Sequence, residues 1–172
     1  MIRRAFIVLL LSLAACAPTY RDTSVGMTSM AVFDPARYAG LWYEVARFPA
    51  PFQAGCTHTS AEYGLTPSGL SVRNSCLKEG KRVVIEGSAQ VSGPGRLKVR
   101  LAGVPVAADY WVLWVDEGYR TAVVGVPSGR AGWILNRTPD IPADRLQASR
   151  EVLAFNGYDL SALRMTPQDG AR

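Results

Sequence analysis

The residues with the most specific chemistry in this chain are three cysteines, Cys16, Cys56 and Cys76, and the single histidine, His58. His58 could join Cys56 and Cys76 at a metal ion, but two thiols and one imidazole at this spacing match known zinc-site patterns poorly. The turn sequence Thr-Pro-Ser-Gly at 66–69 lies near the middle of the intervening segment and would fold the two cysteines onto opposite positions of neighbouring antiparallel strands. The pattern therefore favours a Cys56–Cys76 disulfide and no metal site.

Catalytic chemistry has little support in the sequence. Glu44, Glu62 and Glu86 are scattered, and isolated carboxylates are more often solvated or paired than catalytic. A serine–histidine–aspartate arrangement would have to use His58 next to the disulfide. We therefore predict that the protein is not an enzyme and needs no cofactor, and we keep a lipid-ester hydrolase acting through His58 as the less favoured alternative.

The N-terminus has the layout of a secretory signal peptide, which we assign to residues 1–15. Arg3 and Arg4 precede an apolar run over 5–11, and small residues lead to Cys16. The run is shorter than the roughly 20 apolar residues that span a bilayer, so an anchor helix or a buried helix is the weaker interpretation.

Cys16 directly follows Leu-Ala-Ala, which resembles the lipobox of bacterial lipoproteins. The resemblance implies that Cys16 is acylated, for example with palmitate, and becomes the first residue of the mature chain. Ala17 stands where an aspartate would imply retention in the inner membrane, so the expected location is the outer membrane, facing the periplasm. Residues 16–32 are small and polar and are predicted to be a lipidated tether.

Length and charge favour one folded domain that does not bind nucleic acid. The 172 residues less the first 15 leave 157, an ordinary size for a single domain. The net charge of +5 falls to +3 when Arg3 and Arg4 leave with the signal. The remaining basic residues are scattered and several alternate with apolar ones, as on solvated strand faces. The sequence does not decide between a monomer and a homodimer.

Short apolar–polar segments separated by turn residues fill most of the domain. Strands are predicted near 41–47, 56–65, 70–77, 81–91, 95–101, 109–116, 119–127 and 130–137. Short links between eight strands are typical of an antiparallel meander that closes as a sandwich or a barrel. The fold class is therefore all-β.

Alternation within two strands predicts a dry inner face. Its members are Val83, Ile85, Gly87, Ala89 and Val91 in one strand and Leu97, Val99 and Leu101 in the next. Small residues at Gly87 and Ala89 would leave room for a cavity. Gly87 could instead mark a bend, and the sequence does not decide between the two.

One helix follows the strands. Asp140 is the predicted N-cap, Pro142 lies in the first turn, and Asn156–Gly157 forms the stop. Its predicted apolar face packs on the outside of the sheet and consists of Ile141, Leu146, Ala148, Val152, Leu153 and Phe155. The segment 163–167, Leu-Arg-Met-Thr-Pro, is a candidate ninth strand.

The motif Gly40-x-Trp42-Tyr43-Glu44 at the head of such a meander resembles the lipocalins. The run Phe33–Pro49 and the sequence Trp-Ile-Leu-Asn-Arg-Thr-Pro at 133–139 resemble the bacterial outer-membrane lipocalins and their apolipoprotein-D-like relatives. The resemblance implies an eight-stranded up-and-down β-barrel over 33–168, with the helix outside and 169–172 as a tail. Trp42 would close the bottom of the barrel with Arg137 against its ring. The second family motif is only partly present, as Asp116 and Tyr119.

The resemblance further implies a carrier of fatty acids or lysophospholipids in the bacterial envelope. The candidate ligand-binding residues are Phe48, Phe52, Val83, Ile85, Gly87, Ala89, Leu97, Val99 and Leu101. Phe48 and Phe52 are either lid residues over the mouth of the barrel or core residues beneath a loop. The competing interpretation is an envelope protein with a structural or interaction role and a filled barrel.

Overall fold

Eight antiparallel strands close into a barrel in the computed structural model, which describes residues 18–169. The strands are β1 (Gly40–Arg47), β2 (Thr57–Thr66), β3 (Gly69–Lys78), β4 (Lys81–Gly93), β5 (Arg96–Leu101), β6 (Ala108–Val115), β7 (Thr121–Gly125) and β8 (Gly132–Asn136). Each strand pairs with the next, and β1 pairs with both β2 and β8. The predicted all-β barrel is confirmed. The predicted signal peptide and Cys16 lie outside the described residues.

The meander gives the barrel two different ends. The links β1–β2, β3–β4, β5–β6 and β7–β8 lie at one end, which we call the mouth. The other three turns lie at the opposite end, together with a short helix, α1 (Pro35–Tyr38), that runs into β1. Asp34 caps α1, because its carboxylate accepts hydrogen bonds from the backbone N–H groups of Ala36 and Arg37.

The second helix, α2 (Ala143–Phe155), packs outside the barrel against β6 and β7, as predicted. Its N-cap is Pro142 and not Asp140, and no side chain caps it. Asp140 instead presents its backbone oxygen to Asn136. Leu153 is fully buried, but Phe155 is 72% exposed, so the predicted apolar face is narrower than expected.

A ninth strand, β9 (Arg164–Met165), helps to close the barrel near the mouth. β1 pairs with β2 only over Gly40–Tyr43, and the C-terminal segment lies beside the upper part of β1. The Gln168 amide bridges the two strands there, donating to the backbone oxygens of Glu44 and Thr59 at 2.8 Å each. The predicted short ninth strand is confirmed.

Residues 18–32 follow the outer surface of the barrel. The backbone N–H of Tyr20 donates to Gly129 in the β7–β8 link, and that of Met30 donates to Val112. The Arg21 side chain is buried and donates to the backbone oxygen of Asn156 at 2.7 Å. The described part of the predicted tether is therefore packed on the domain. Among residues 18–169, no helix is long and apolar enough to cross a membrane.

Candidate ligand-binding site

The closed end of the barrel is sealed by an indole and a guanidinium. Trp42 is fully buried, and the Arg137 guanidinium carbon lies 3.8 Å from the centre of its ring, as predicted. Arg137 also donates to the backbone oxygens of Leu41 and Ala39, at 2.8 and 2.9 Å. Gly40 has φ +97°, and a Cβ there would lie 3.2 Å from the guanidinium, so two constraints favour glycine at this position.

The turn between β6 and β7 is organised around Asp116. Burial alone would raise the pKa of its carboxyl, but hydrogen bonds from the Thr121 backbone and from Arg120 outweigh burial and lower the pKa. Tyr119 follows in the left-handed conformation, with φ 53°, and its ring packs under the Arg37 guanidinium. The partial second motif thus forms a fixed turn at the closed end.

Above Trp42, four aromatic rings form a continuous series of contacts, in which three tyrosines make the floor of the interior and Trp133 lies above them. Tyr38 contacts Trp42, with ring centres 5.0 Å apart, and Tyr63 lies 5.3 Å from Tyr38. Tyr110 follows at 6.3 Å from Tyr63, and Trp133 is stacked on Tyr110 at 6.2 Å. The lower half of the barrel is therefore filled by its own side chains.

The register places the predicted lining residues of β4 and β5 on the inner face. Paired residues of an antiparallel sheet share a face. Gly87 and Ala89 pair with the buried Val72 and Leu70 of β3. Toward the mouth, Ile85 pairs with Asn74 and Val83 pairs with Cys76 of β3. On the other side of β4, Gly87 pairs with Leu101 and Ala89 pairs with Val99 of β5.

Gly87 marks a close approach of two strands. A Cβ at this position would lie 2.1 Å from the backbone oxygen of Arg100, a distance that no side chain can occupy. The structure shows neither a bend nor free space at Gly87: β4 keeps an unbroken register with β3 and β5 there, and the missing side chain leaves room for the β5 backbone and not for a ligand.

Above the floor, side chains of the inner face remain accessible. Ile85, Val99 and Leu101 are only partly buried although they face inward, and Val83 is 48% exposed. β4 pairs with β5 only from Gly87 onward, and β5 pairs with β6 only as far as Val99, so the wall around Val83, Ile85 and Leu101 is open toward the mouth. From Val83 to Ala89, β4 provides a wall about 20 Å long at roughly 3.3 Å per residue. We call the space above the floor, bordered by these side chains, the cup.

Two polar features stand on the inner wall of the cup. The first is Asn74, whose Oδ1 is buried and has no hydrogen-bond partner among the described residues. The second is a cluster around Glu44, which is 3% exposed and accepts hydrogen bonds from Arg47 at 2.8 Å and from Gln53 at 2.7 Å. Gln53 in turn accepts a hydrogen bond from the Trp133 indole at 2.9 Å.

The sequence did not reveal the Glu44 cluster because regular strand geometry separates its members. Residues three apart on a strand point to opposite faces. A bulge in β1 between Glu44 and Ala46 shifts the register, so Glu44 pairs with Leu135 and Arg47 pairs with Trp133 on the inner face. The motif contained the glutamate, but only the bulge brings the arginine beside it.

The two predicted lid residues, both in the link between β1 and β2, have different positions in the structure. Phe48 is fully buried outside the barrel, where it stacks on Tyr20 and Tyr158. It is a core residue and is removed from the candidate ligand contacts. Phe52 lies at the mouth and is 70% exposed. The predicted Cys56–Cys76 disulfide is present and ties this link to β3.

His58 takes no part in a catalytic arrangement within the described chain. Its ring contacts the Thr57 hydroxyl and the backbone oxygen of Asp169. Residues 18–169 contain no cluster of three or more histidine, cysteine or acidic side chains suited to a metal ion.

These observations define a closed β-barrel with a sealed base, an aromatic floor and partly exposed apolar side chains on its inner face toward the mouth. The family profile of the lipocalin-like domain matches residues 33–168. The chain is 41% identical over 144 residues to temperature-induced lipocalin-1 of Arabidopsis thaliana, covering 77% of each chain. It is 37% identical over 152 residues to the outer membrane lipoprotein Blc of Escherichia coli K12, covering 85% of each. The protein belongs to the lipocalin family, which binds small hydrophobic ligands.

Solved structures show the same fold at low sequence identity. Insecticyanin from the tobacco hornworm Manduca sexta superposes with a TM-score of 0.71 at 22% identity, covering 90% of this chain and 89% of its own. Lobster apocrustacyanin A1 superposes with a TM-score of 0.70 at 16% identity, covering 90% and 94%.

Proposed function

We propose that this lipocalin is a lipid carrier of the bacterial envelope that holds the acyl chain of a fatty acid or a lysophospholipid in its cup. The observation that carries the proposal is the solvent access of inward-facing apolar side chains above the floor, at Ile85, Val99 and Leu101. Ten buried methylene groups would contribute about 8 kcal/mol before ordering and entropy costs. Micromolar affinity is the expected order of magnitude.

The position of the N-terminal segment supports a site beside the membrane. The Thr19 hydroxyl donates to the backbone oxygen of Ser128 in the β7–β8 link, so the first described residues lie at the mouth. Three peptide units connect Cys16 to Thr19 and span roughly 11 Å at most. If Cys16 carries the acyl anchor, the mouth is held close to the lipid surface. The relationship to an outer membrane lipoprotein supports this location.

Exposed groups around the mouth would suit a lipid surface. The apolar ones are Phe52, Val83, Val104 and Val106, all exposed. Lys78, Lys81 and Arg82 stand at the β3–β4 turn, where they can attract anionic headgroups at about 1 kcal/mol each. A short path from membrane to cup would let a lipid enter without crossing much water.

Tryptophan fluorescence tests the proposal directly. Trp133 lies on the inner face above the tyrosines of the floor, so titrating delipidated protein with palmitate or a lysophospholipid should change its emission. The filled lower half of the barrel favours the competing role, a structural or interaction protein without a ligand. Saturable binding of neither lipid would support that role and reject the carrier.

A pair of neighbouring substitutions on β4 tests the cup as the binding site. Ile85→Glu places a carboxylate on the inner face and should weaken palmitate binding at least tenfold, because the charge must be desolvated beside the acyl chain. Val84→Glu is the matched control, since Val84 pairs with Ser75 on the other face and is exposed. Equal binding by both variants would show that the ligand lies elsewhere.

A further inference from the structure

The tyrosines of the floor share one hydrogen-bonded cluster of hydroxyl groups. The hydroxyl oxygens of Tyr38 and Tyr110 are 2.7 Å apart, and Tyr63 donates to the Tyr110 oxygen at 2.9 Å. Three phenols bring three hydrogens, but these two contacts use only two of them. Among the described residues the three hydroxyls make no other hydrogen bond, so one O–H group has no acceptor.

The spare hydrogen belongs most readily to Tyr110. Tyr110 is the middle member and can accept from both neighbours while its own hydrogen stays free. Tyr110 is only partly buried as a residue, whereas Tyr38 and Tyr63 are 0% and 5% exposed. Two accepted hydrogen bonds polarise its O–H group and make it a stronger donor.

The cluster stays neutral at physiological pH. Burial raises the pKa of Tyr63 to about 12 and raises the pKa of Tyr38 and of Tyr110 well above the ordinary value. The floor therefore offers a permanent hydrogen-bond donor and no charge.

A buried acceptor lies on the same inner face, one inward-facing position nearer the mouth on β3 than the partner of Tyr63. Asn74 occupies the inward-facing position next to Val72, the residue that pairs with Tyr63, and its Oδ1 has no partner within residues 18–169. The inner face thus contains an unpaired donor at Tyr110 and an unpaired acceptor at Asn74. An unmet buried hydrogen bond costs about 1–3 kcal/mol, and a ligand hydroxyl can serve both kinds of partner.

On this basis, and resting on the proposed lipid-carrier function, we propose that the floor of the cup is a subsite for a hydroxyl group at the inner end of the ligand. The Tyr110 hydroxyl is the donor of this subsite, and the ligand class is an acyl chain that carries an oxygen at its far end. A plain hydrocarbon terminus would leave the donor unpaired.

The test compares two ligands that differ only at that end, hexadecanoic acid and 16-hydroxyhexadecanoic acid. The wild-type protein should bind the hydroxy acid at least as tightly as hexadecanoic acid. Tyr110→Phe should shift the ratio of the two dissociation constants about fivefold against the hydroxy acid, the value of one hydrogen bond. Tyr43→Phe is the matched control, because it removes a phenol hydroxyl on the opposite face of β1 from Trp42, outside the cluster, and it should leave the ratio unchanged.

The outcomes separate this inference from the proposed function. Normal binding of hexadecanoic acid with a hydroxy acid that binds tenfold more weakly to the wild type would overturn the subsite and keep the carrier. This comparison needs no variant, so it decides even if Tyr110→Phe fails to fold. An identical ratio in the wild type and Tyr110→Phe would also overturn the subsite. Binding of neither acid would reject the carrier function together with the subsite.

Discussion

Arg137 joins several parts of the closed end that would otherwise be held only by apolar packing. Its guanidinium lies on the Trp42 ring and donates to backbone oxygens in α1 and β1. The planar group can do both at once, because its face contacts the indole while its N–H groups point outward in the plane. The resulting contacts fix the first turn of the barrel to its last strand.

Arg137→Ala should lower the free energy of unfolding by roughly 2–4 kcal/mol, from loss of the cation–π contact and of several hydrogen bonds. Arg137→Lys keeps the charge but not the fork, and it should recover less than half of the loss. Urea denaturation followed by tryptophan emission measures both. If Arg137→Lys were as stable as the wild type, the positive charge alone would account for the stabilisation by Arg137.

Asp116 should make the stability of the barrel depend on pH. Its pKa is lowered in the folded protein, so the stabilisation is present above the ordinary carboxyl pKa near 4 and is lost as the pH falls through the lowered value. Asp116→Asn should reduce the free energy of unfolding by about 1–2 kcal/mol at pH 7. The difference from wild type should shrink by pH 2. Denaturation series at the two pH values test this, with the exposed Glu117→Gln on the same turn as control.

At the scale of elements, the closure of the barrel near the mouth depends on segments other than the main strands. β1 and β2 separate above Tyr43, and the segment around β9 fills the gap with backbone and side-chain hydrogen bonds. On the other side of β2, the disulfide ties its N-terminal end to β3. The β9 segment and the disulfide therefore hold the wall near the mouth, where β1 and β2 are no longer paired.

Replacing both cysteines, Cys56→Ser with Cys76→Ser, should lower the free energy of unfolding by about 3 kcal/mol, because the bridge closes a segment of 20 residues in the unfolded chain. Hydrogen exchange should also increase in the β1–β2 link and at the start of β2. Wild-type protein unfolded under reducing conditions is the control and should match the double variant. An unchanged midpoint for both would mean that the native contacts alone fix this wall.

At the scale of the whole molecule, the order of the strands sets the direction of the cup. The described chain starts at the β7–β8 link, and that link lies at the mouth. If Cys16 carries the proposed anchor, three peptide units separate it from Thr19 at the mouth, so the mouth and not the sealed base would face the membrane.

Cys16→Ser should release the protein from the membrane pellet into the soluble periplasmic fraction, because acyl chains supply about 0.8 kcal/mol per buried methylene. Ala17→Asp is the matched control. The Ala17→Asp variant keeps Cys16 and should remain in the membrane pellet. An aspartate after the lipidated cysteine is expected to retain a lipoprotein in the inner membrane, so this variant should fractionate with the inner membrane. Cell fractionation followed by immunoblotting measures both variants. A Cys16→Ser protein that still sediments would reject the anchor.

Local patterns determined the all-β class, and the family resemblance predicted that the strands close as a barrel. Alternation of apolar and polar residues indicated the strands, turn residues separated them, and the inner face of β4 and β5 follows from the side-chain period of two. The midpoint turn between Cys56 and Cys76 predicted their pairing, since it sets which residues face each other. The predicted N-cap of α2 was wrong. The backbone oxygen of Asp140 accepts a hydrogen bond from Asn136, and Pro142 occupies the N-cap position.

Tertiary structure alone decided what fills the barrel. No local pattern states that Tyr38, Tyr63 and Tyr110, far apart in the chain, meet at one hydrogen-bonded point on the floor. A single bulge puts Glu44 and Arg47 on one face, and Phe48 turns outward to α2 and not over the mouth. Sequence periodicity determined which residues face inward. The closing of the strands determined which of them touch, because contacts across a barrel depend on its circumference and register.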